Sequence, residues 1–367
     1  MILKSLDLLN FRNYKRETFV FDPGTNIIYG DNAQGKTNVL EAVFVGGTTK
    51  SHKGSKDSEM VNRDEQEAHL KYIVVKNNRE ITVDFQIRKR GNKGIAIDRV
   101  PIKNSEELLG ICHLVFFSPE DLGIIKNGPE IRRRFMDMEL CQLNKIYMNY
   151  LVNYRKNLKQ RNALLKQIVQ NNSLKDSLEI WNAGLIENGK KIIKIRREFI
   201  EEINEIMQEK HSSLTGGKEM INVKYEPSVS EDRFEEDLFL AEDRDIYQGT
   251  TTIGPHRDDI IFLNKDEDIR KFGSQGQQRT AALSLKLSEL DIAEKKTGEK
   301  PILLLDDVLS ELDRNRQNYL LEQIKGVQTI ITCTGLEEFV ENGVGIDKTF
   351  HIIDGKIDKS KEEIIDG

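Results

Sequence analysis

The chain has 367 residues, 32% of them charged and 38% hydrophobic, with a formal net charge of −6. That length suffices for a large core and two domains, and the acidic balance excludes a protein that binds nucleic acid over its whole surface; any such surface is a local basic patch. No apolar run reaches membrane-spanning length, no basic stretch followed by an apolar one opens the chain, and the three cysteines (Cys112, Cys141, Cys333) are odd in number and far apart, which argues against a zinc site or disulfide framework and fits a reduced cytoplasm.

In chain order, residues 1–45 read strand, turn, strand, loop, helix. Ile2, Leu6 and Leu8 alternate loosely, Phe11-Arg12-Asn13-Tyr14 leads into Thr18-Phe19-Val20-Phe21, and Asp22-Pro23-Gly24 is a turn. Thr25 to Tyr29 is a short strand entering a glycine loop, after which Thr37 to Val45 carries apolar residues on a helix. From Ala68 to Lys103 the period falls to two, with Asn77-Asn78 and Gly91-Asn92 as turns, so an antiparallel meander is expected. Leu114 to Phe117 is a further buried strand. Pro129 to about Lys210 is helical, with Leu143, Tyr147, Tyr150, Tyr154, Leu158 and Leu165 on one face. The acidic stretch Glu231 to Asp245 reads as a surface connector, and alternating sequence returns near Thr250. The expected domains are therefore 1–122 and 246–367, forming one α/β unit from both chain ends, with a mainly helical domain, 123–245, inserted between them.

Three motifs carry chemistry. Gly30-Asp31-Asn32-Ala33-Gln34-Gly35-Lys36-Thr37, followed by Asn38, fits G-x-x-x-x-G-K-[ST], between a predicted strand and a predicted helix. Small residues let backbone N–H groups turn inward around phosphates, Lys36 supplies a cation for the β- and γ-phosphates, and Thr37 supplies a hydroxyl for Mg²⁺. Ile302 to Leu305 is continuously apolar, as a strand buried on both faces of a parallel sheet must be, and ends in Asp306 and Asp307. Asp306 would hold Mg²⁺, directly or through water, and Asp307 would orient or deprotonate the attacking water of ATP hydrolysis. Ser274-Gln275-Gly276-Gln277 opens a helix with Ser274 as its N-cap, an anion site that alone could be an ordinary capped helix; it resembles an ABC-type signature, which makes little sense within one monomer and suggests two copies closing over ATP.

Together these pieces resemble the SMC-like branch of the ABC ATPases, and within it the RecF family. The resemblance covers essentially the whole chain. It extends to Leu9-Asn10-Phe11-Arg12-Asn13-Tyr14, to Phe117-Ser118-Pro119-Glu120-Asp121-Leu122 with Arg132-Arg133-Arg134-Phe135-Met136-Asp137, and to Gly254-Pro255-His256-Arg257-Asp258-Asp259. The short helical insertion favours the RecF family over SMC proteins, whose coiled coils are long. The resemblance implies an ABC-type ATPase head, ATP and Mg²⁺, an ATP-dependent homodimer with the signature acting in trans, and weak DNA-stimulated hydrolysis used as a switch. It also implies binding to duplex, gapped or junction DNA, work with RecO and RecR in helping RecA at single-strand gaps, and no membrane partner. Arg12 would contact phosphate or DNA by analogy with the branch. Glu120 or Asp121 would stand for the Q-loop residue, Asp313 would lie in the loop that couples the two sites, and Thr332 or Thr334 would replace the switch histidine of ABC transporters.

Other signals carry less. His256-Arg257-Asp258 matches the start of a kinase catalytic loop, but Leu263 stands where that motif needs asparagine, which leaves His256 and Arg257 either near the nucleotide or dimer interface or in a hydrogen-bonded structural loop. Of the basic clusters, the loop carrying Lys50, Lys53 and Lys56 is the best candidate for DNA contact, since the nucleotide and DNA faces should communicate. Few aromatics interleave the basic runs, so backbone recognition of duplex is expected rather than base stacking. A transport-energising ABC subunit is the main rival reading; it would carry a switch histidine and bind a membrane permease.

Overall fold

The structure is a computed structural model and describes residues 1–336 and 345–361. In chain order, β1 (Ile2–Phe11), β2 (Tyr14–Val20) and β3 (Thr25–Tyr29) lead into α1 (Lys36–Thr48) and a single helical turn, α2 (Asp57–Met60). β4 (Glu67–Lys76), β5 (Arg79–Arg88), β6 (Gly94–Ile97), β7 (Val100–Pro101) and β8 (Leu114–Phe117) follow. A helical stretch comes next: α3 (Leu122–Lys126), α4 (Pro129–Leu143), α5 (Lys145–Ile168) and α6 (Leu178–Thr215). Then come β9 (Asn222–Glu226), α7 (Phe234–Leu240), α8 (Glu242–Gln248), β10 (Asp259–Asn264), β11 (Glu267–Asp268), α9 (Ile269–Phe272) and α10 (Gln275–Thr297). The final elements are β12 (Ile302–Asp306), α11 (Arg314–Gln323), β13 (Thr329–Cys333), β14 (Lys348–Ile353) and β15 (Lys356–Ile357). The chain divides into two compact units, residues 1–121 with 289–367, and residues 122–288.

In the first unit, a sheet of order β2-β1-β4-β5-β6-β7 is antiparallel throughout. Its meander was legible because Asn77 and Asn78 both adopt positive φ, 49° and 58°, the conformation a two-residue hairpin demands and asparagine tolerates. A second sheet, β15-β14-β3-β13-β12-β8, is parallel except at β15. β3, from the start of the chain, lies between β13 and β14, from its end. The fully buried Ile27, Ile28, Leu304, Leu305 and Ile330 show why these strands are continuously apolar: both faces are covered. One cover is α1, where Gly47 lies against Leu114 of β8, while Gly46 lies against the ring of Tyr72 in β4, whose hydroxyl donates to Ala42 O at 2.7 Å. Buried Gln328 stitches the two sheets, accepting from Leu3 N and donating to Leu3 O and Asp22 O.

The second unit is mainly helical but holds a three-stranded sheet, β11-β10-β9. Two buried arginines organise it. Arg196 of α6 donates to Tyr147 Oη, Pro255 O, Asp258 Oδ2 and Asp137 Oδ1, and Arg161 of α5 donates to Asn182 Oδ1, Asp245 Oδ2 and Thr251 Oγ1. The stretch expected as a connector, Glu231 to Asp245, instead forms α7 and most of α8, because Phe234, Leu238 and Asp245 turn inward while the remaining acids face water or line the surface. For the same reason the sequence 246–288 belongs with this unit: Thr251 and Asp258 complete the two arginine sites. The chain crosses back between Ser288 and Glu289, inside α10, rather than at residue 246.

Candidate nucleotide site

The site forms at the carboxyl edge of the parallel sheet. β3 ends at Tyr29, and the backbone then makes a turn that L-residues with bulky side chains resist: Gly30 has φ 146° and Gly35 φ 113°. A Cβ on Gly30 would stand 2.5 Å from Ile352 O, and one on Gly35 the same distance from Asn13 Nδ2. Ala33 also takes positive φ, while Asp31, Asn32 and Ala33 are exposed. Lys36 Nζ donates to Gly30 O at 2.5 Å and Asp31 O at 2.8 Å, so its cation already sits inside the loop. Asn13 Nδ2 donates to Gln34 O, Asn38 Nδ2 donates to Asn13 Oδ1, and Tyr14 Oη donates to Gly35 O. Gln34 is held from the other side by the backbone N–H groups of Asp354 and Gly355. Beside the loop lies an open pocket of about 560 Å³ lined by Asn13, Lys15, Arg16, Asp354 and Lys356.

Thr37, one residue into α1, donates from Oγ1 to Asp306 Oδ1 at 2.9 Å. This bond joins residues 269 apart in sequence and places the glycine loop beside the paired carboxylates. Asp306 pairs with Thr332 across β12 and β13, and Thr332 Oγ1 donates to Asp306 Oδ1 at 2.7 Å. Asp307 follows the strand with φ 54° and an exposed side chain; its N–H reaches Thr332 Oγ1 at 3.2 Å, and Ser310 Oγ donates to Asp307 O. β8 runs parallel beside β12, so Ser118, Glu120 and Asp121 emerge at the same edge. Asp121 caps its own turn, accepting from Ser118 N at 2.7 Å, while Glu120 is exposed. Thr334 lies beyond the end of β13 and is exposed. Asp313 is the N-cap of α11, accepting from Arg316 N and pairing with its guanidinium.

Two oxygens with the 2.9 Å separation of Thr37 Oγ1 and Asp306 Oδ1 match neighbouring positions of an octahedral Mg²⁺, whose ligands at about 2.0–2.1 Å stand about 2.9 Å apart. Among the described residues no cluster of three or more His, Cys, Asp or Glu could hold a metal by itself, which fits an ion whose other ligands are phosphate oxygens and water.

Arg12 is committed to the protein. Its Nε and Nη2 donate to the two carboxylate oxygens of Glu41 at 2.8 and 2.6 Å, its Nη2 also to Ser55 Oγ, and its Nη1 to Glu59 O. Glu41 is fully buried on α1; burial alone would raise its carboxyl, but hydrogen bonds from Arg12 and Ser51 and the Arg12 charge outweigh burial and hold it below the ordinary glutamate range. Arg12 thus fastens the loop bearing Lys50, Lys53 and Lys56, all exposed or partly so, to the helix that follows the glycine loop. The sequence reading missed Glu41 and Asn13. A lone acid among Val39, Leu40, Ala42 and Val43 was the available signal for the first; the second stands beside Arg12 in the Leu9 to Tyr14 motif, which was its signal.

Ser274, Gln275, Gly276, Gln277, His256 and Arg257 all belong to the second unit. Ser274 and Gln277 form a reciprocal cap, Gln277 N donating to Ser274 Oγ and Ser274 N to Gln277 Oε1, and Ser274 and Gln275 are exposed. The Thr251 carbonyl can only accept, so His256 carries its proton on Nε2, 3.0 Å away, and Nδ1 accepts from Tyr154 Oη at 2.7 Å. Burial pushes that imidazole down to about 4. Of the basic clusters, Arg132 is buried against Asp259, and Arg161 against Asp245.

Residues 2–357 match the model of the RecF/RecN/SMC N-terminal domain. The DNA replication and repair protein RecF of Agathobacter rectalis is 57% identical over 358 residues, 98% of this chain and 99% of that protein. RecF of Lachnoclostridium phytofermentans is 55% identical over 98% of this chain and all of that protein. Among solved structures, that of the recombination mediator protein RecF-ATPrS in the RecFOR pathway superposes with a TM-score of 0.91 at 39% identity, covering 97% of each chain. An SMC head bound to the C-terminal winged-helix domain of ScpA has a TM-score of 0.57 at 16% identity and shares the fold.

Proposed function

Because the chain belongs to the RecF family, within the wider group that shares the RecF/RecN/SMC N-terminal domain, we propose that it is an ATP-dependent DNA-binding protein of recombinational repair. The observation that carries this reading is the Thr37–Asp306 hydrogen bond, which brings the two halves of a hydrolytic nucleotide site together.

In this reading the inward N–H groups of residues 30–37 and the N-terminus of α1 receive the phosphates, and Lys36 exchanges its carbonyl partners for β- and γ-phosphate oxygens. Thr37 and Asp306 would hold Mg²⁺, which when bound neutralises phosphate charge. Asp307 orients the attacking water at the open edge of the sheet. The exposed cap of α10, Ser274 to Gln277, grips the γ-phosphate of a second copy, so ATP closes a homodimer and slow hydrolysis reopens it. Relatives solved with ATP and ATPrS support the ligand, and their assignment to the RecFOR pathway supports RecO and RecR as partners. The closed dimer clamps duplex or gapped DNA, with the loop of Lys50, Lys53 and Lys56 on the phosphate backbone, and helps RecA load at single-strand gaps. DNA raises a low basal turnover, so the ATPase serves as a switch. No described helix is long and apolar enough to cross a membrane.

Sedimentation velocity with Mg-ATP, with and without a gapped duplex, tests the reading. A nucleotide-dependent shift to dimer, with DNA co-sedimenting, is expected. A monomer that ignores DNA would sink the clamp.

A further inference from the structure

The end of β13 carries a hydroxyl that touches both carboxylate residues at once. Thr332 is only 2% exposed, pairs with Asp306 on one side and Ile28 on the other, and its side chain is enclosed by the sheet. A hydroxyl has one proton and two lone pairs. Asp306 Oδ1, at 2.7 Å, takes the proton; the other acceptor in reach, Leu305 O, is at 3.4 Å. A lone pair is left for Asp307 N, at 3.2 Å, a donor shared with the Thr332 carbonyl at 3.3 Å. The same Asp306 oxygen accepts from Thr37, so side chains from β13 and α1 converge on it. Asp307, meanwhile, holds a left-handed backbone, φ 54°, a conformation that L-residues adopt rarely and that Asp tolerates better than most.

We propose that Thr332 is a positioning residue for ATP hydrolysis: its hydroxyl fixes the Asp306 carboxylate toward Thr37 and enforces the backbone turn that swings Asp307 out of the strand. The inference rests on the nucleotide-site reading above and adds a role to it. Of the two threonines left open by the sequence, Thr332 is the one in contact with the carboxylates, and its burial means that it acts through them rather than on phosphate. Thr334, exposed beyond the strand, has no part in this arrangement.

Two substitutions separate the hydroxyl from the rest of the side chain: Thr332→Val keeps shape and loses the hydroxyl, Thr332→Ser keeps the hydroxyl and loses a methyl group. Hydrogen exchange at the Asp307 amide, in nucleotide-free protein, is expected to speed up about threefold in Thr332→Val, since the shared bond to the Thr332 carbonyl remains, and to stay near wild type in Thr332→Ser. Equilibrium binding of a slowly hydrolysed ATP analogue is expected to match wild type in EDTA for both variants. The gain in affinity that Mg²⁺ gives should fall by about tenfold or more in Thr332→Val alone, the loss expected when one bond to a charged group is removed. Turnover should follow the same order, with kcat falling about tenfold and KM little changed, as for a residue that acts in the transition state. Wild-type exchange and Mg²⁺ response in Thr332→Val would overturn the proposal. So would a Thr332→Ser variant as impaired as Thr332→Val, since the methyl group would then be the cause. If the wild type hydrolyses no ATP, the ATPase reading falls by itself, and the exchange and Mg²⁺ measurements still decide the role of Thr332.

Discussion

Asp307 meets two demands in one residue. Its carboxylate is the one proposed to orient water, and its backbone sits at positive φ, a region that Asn tolerates as well as Asp and most other residues do not. Asp307→Asn therefore keeps the turn and removes the charge. Turnover is expected to fall by about tenfold or more with nucleotide affinity little changed, and the dimer and its residence on DNA to lengthen; unchanged turnover in a steady-state assay would remove Asp307 from the mechanism. His256 belongs to the same scale but a different concern. Its folded pKa, about 4, lies below the 6.5 of an unperturbed histidine, so between those values the unfolded chain binds the extra proton. Its contribution to stability is complete above pH 6.5 and is lost as pH falls toward 4. His256→Gln should lose roughly 1–2 kcal/mol less than wild type between about pH 7 and pH 5 in chemical denaturation, with His52, also pushed down to about 4 by burial, supplying part of the slope that remains.

At the scale of elements, α10 shows what a cap can do besides end a helix. The Ser274–Gln277 cap satisfies two backbone donors and leaves its outer face open. Ser274→Arg removes the cap, at about 1 kcal/mol, and sets a long cation at the place proposed for the partner's phosphate. Nucleotide-dependent dimerisation should disappear while ATP binding to the monomer survives; a variant that still dimerises with ATP would refute the signature in trans. The elements proposed to carry chemistry were those most legible in the sequence. Strand, glycine loop and helix follow one another within residues 25–48, and local spacing alone specifies them. The paired carboxylates announce themselves at the end of an apolar run. What stayed hidden depends on long-range burial of charge. Nothing in the local sequence marks Arg161 and Arg196 as buried until Asp245, Asp258 and Asp137 are brought to them by the fold, and α7 reads as an acidic connector until Phe234 finds Gly189. Position along the chain also misled: sequence near Thr250 alternates like the terminal halves, yet packs with the helices.

For the whole molecule the proposed function asks how an acidic chain would hold a polyanion. A net charge of −6 repels phosphate at long range, so binding must rest on a few lysines placed together and should be strongly dependent on salt. Replacing Lys50, Lys53 and Lys56 with alanine is expected to weaken binding of duplex whatever its sequence and to flatten the plot of log affinity against log salt by about one unit for each phosphate that is no longer neutralised. An unaltered slope would move the DNA face elsewhere.

The place of β3 in its sheet also governs when the protein can begin to work. During translation, Thr25 to Tyr29 leave the ribosome early, but both neighbours of this strand, β13 and β14, are encoded toward the far end of the message. Until they emerge, Ile27 and Ile28 sit on a strand with two open edges, a state suited to chaperone binding and prone to aggregation. A product cut short before Thr329 would keep its glycine loop and have no sheet to hold it. If the glycine loop binds ATP as proposed, that binding would report that synthesis has passed β14, since β3 has no neighbour in its sheet before β13 and β14 are made.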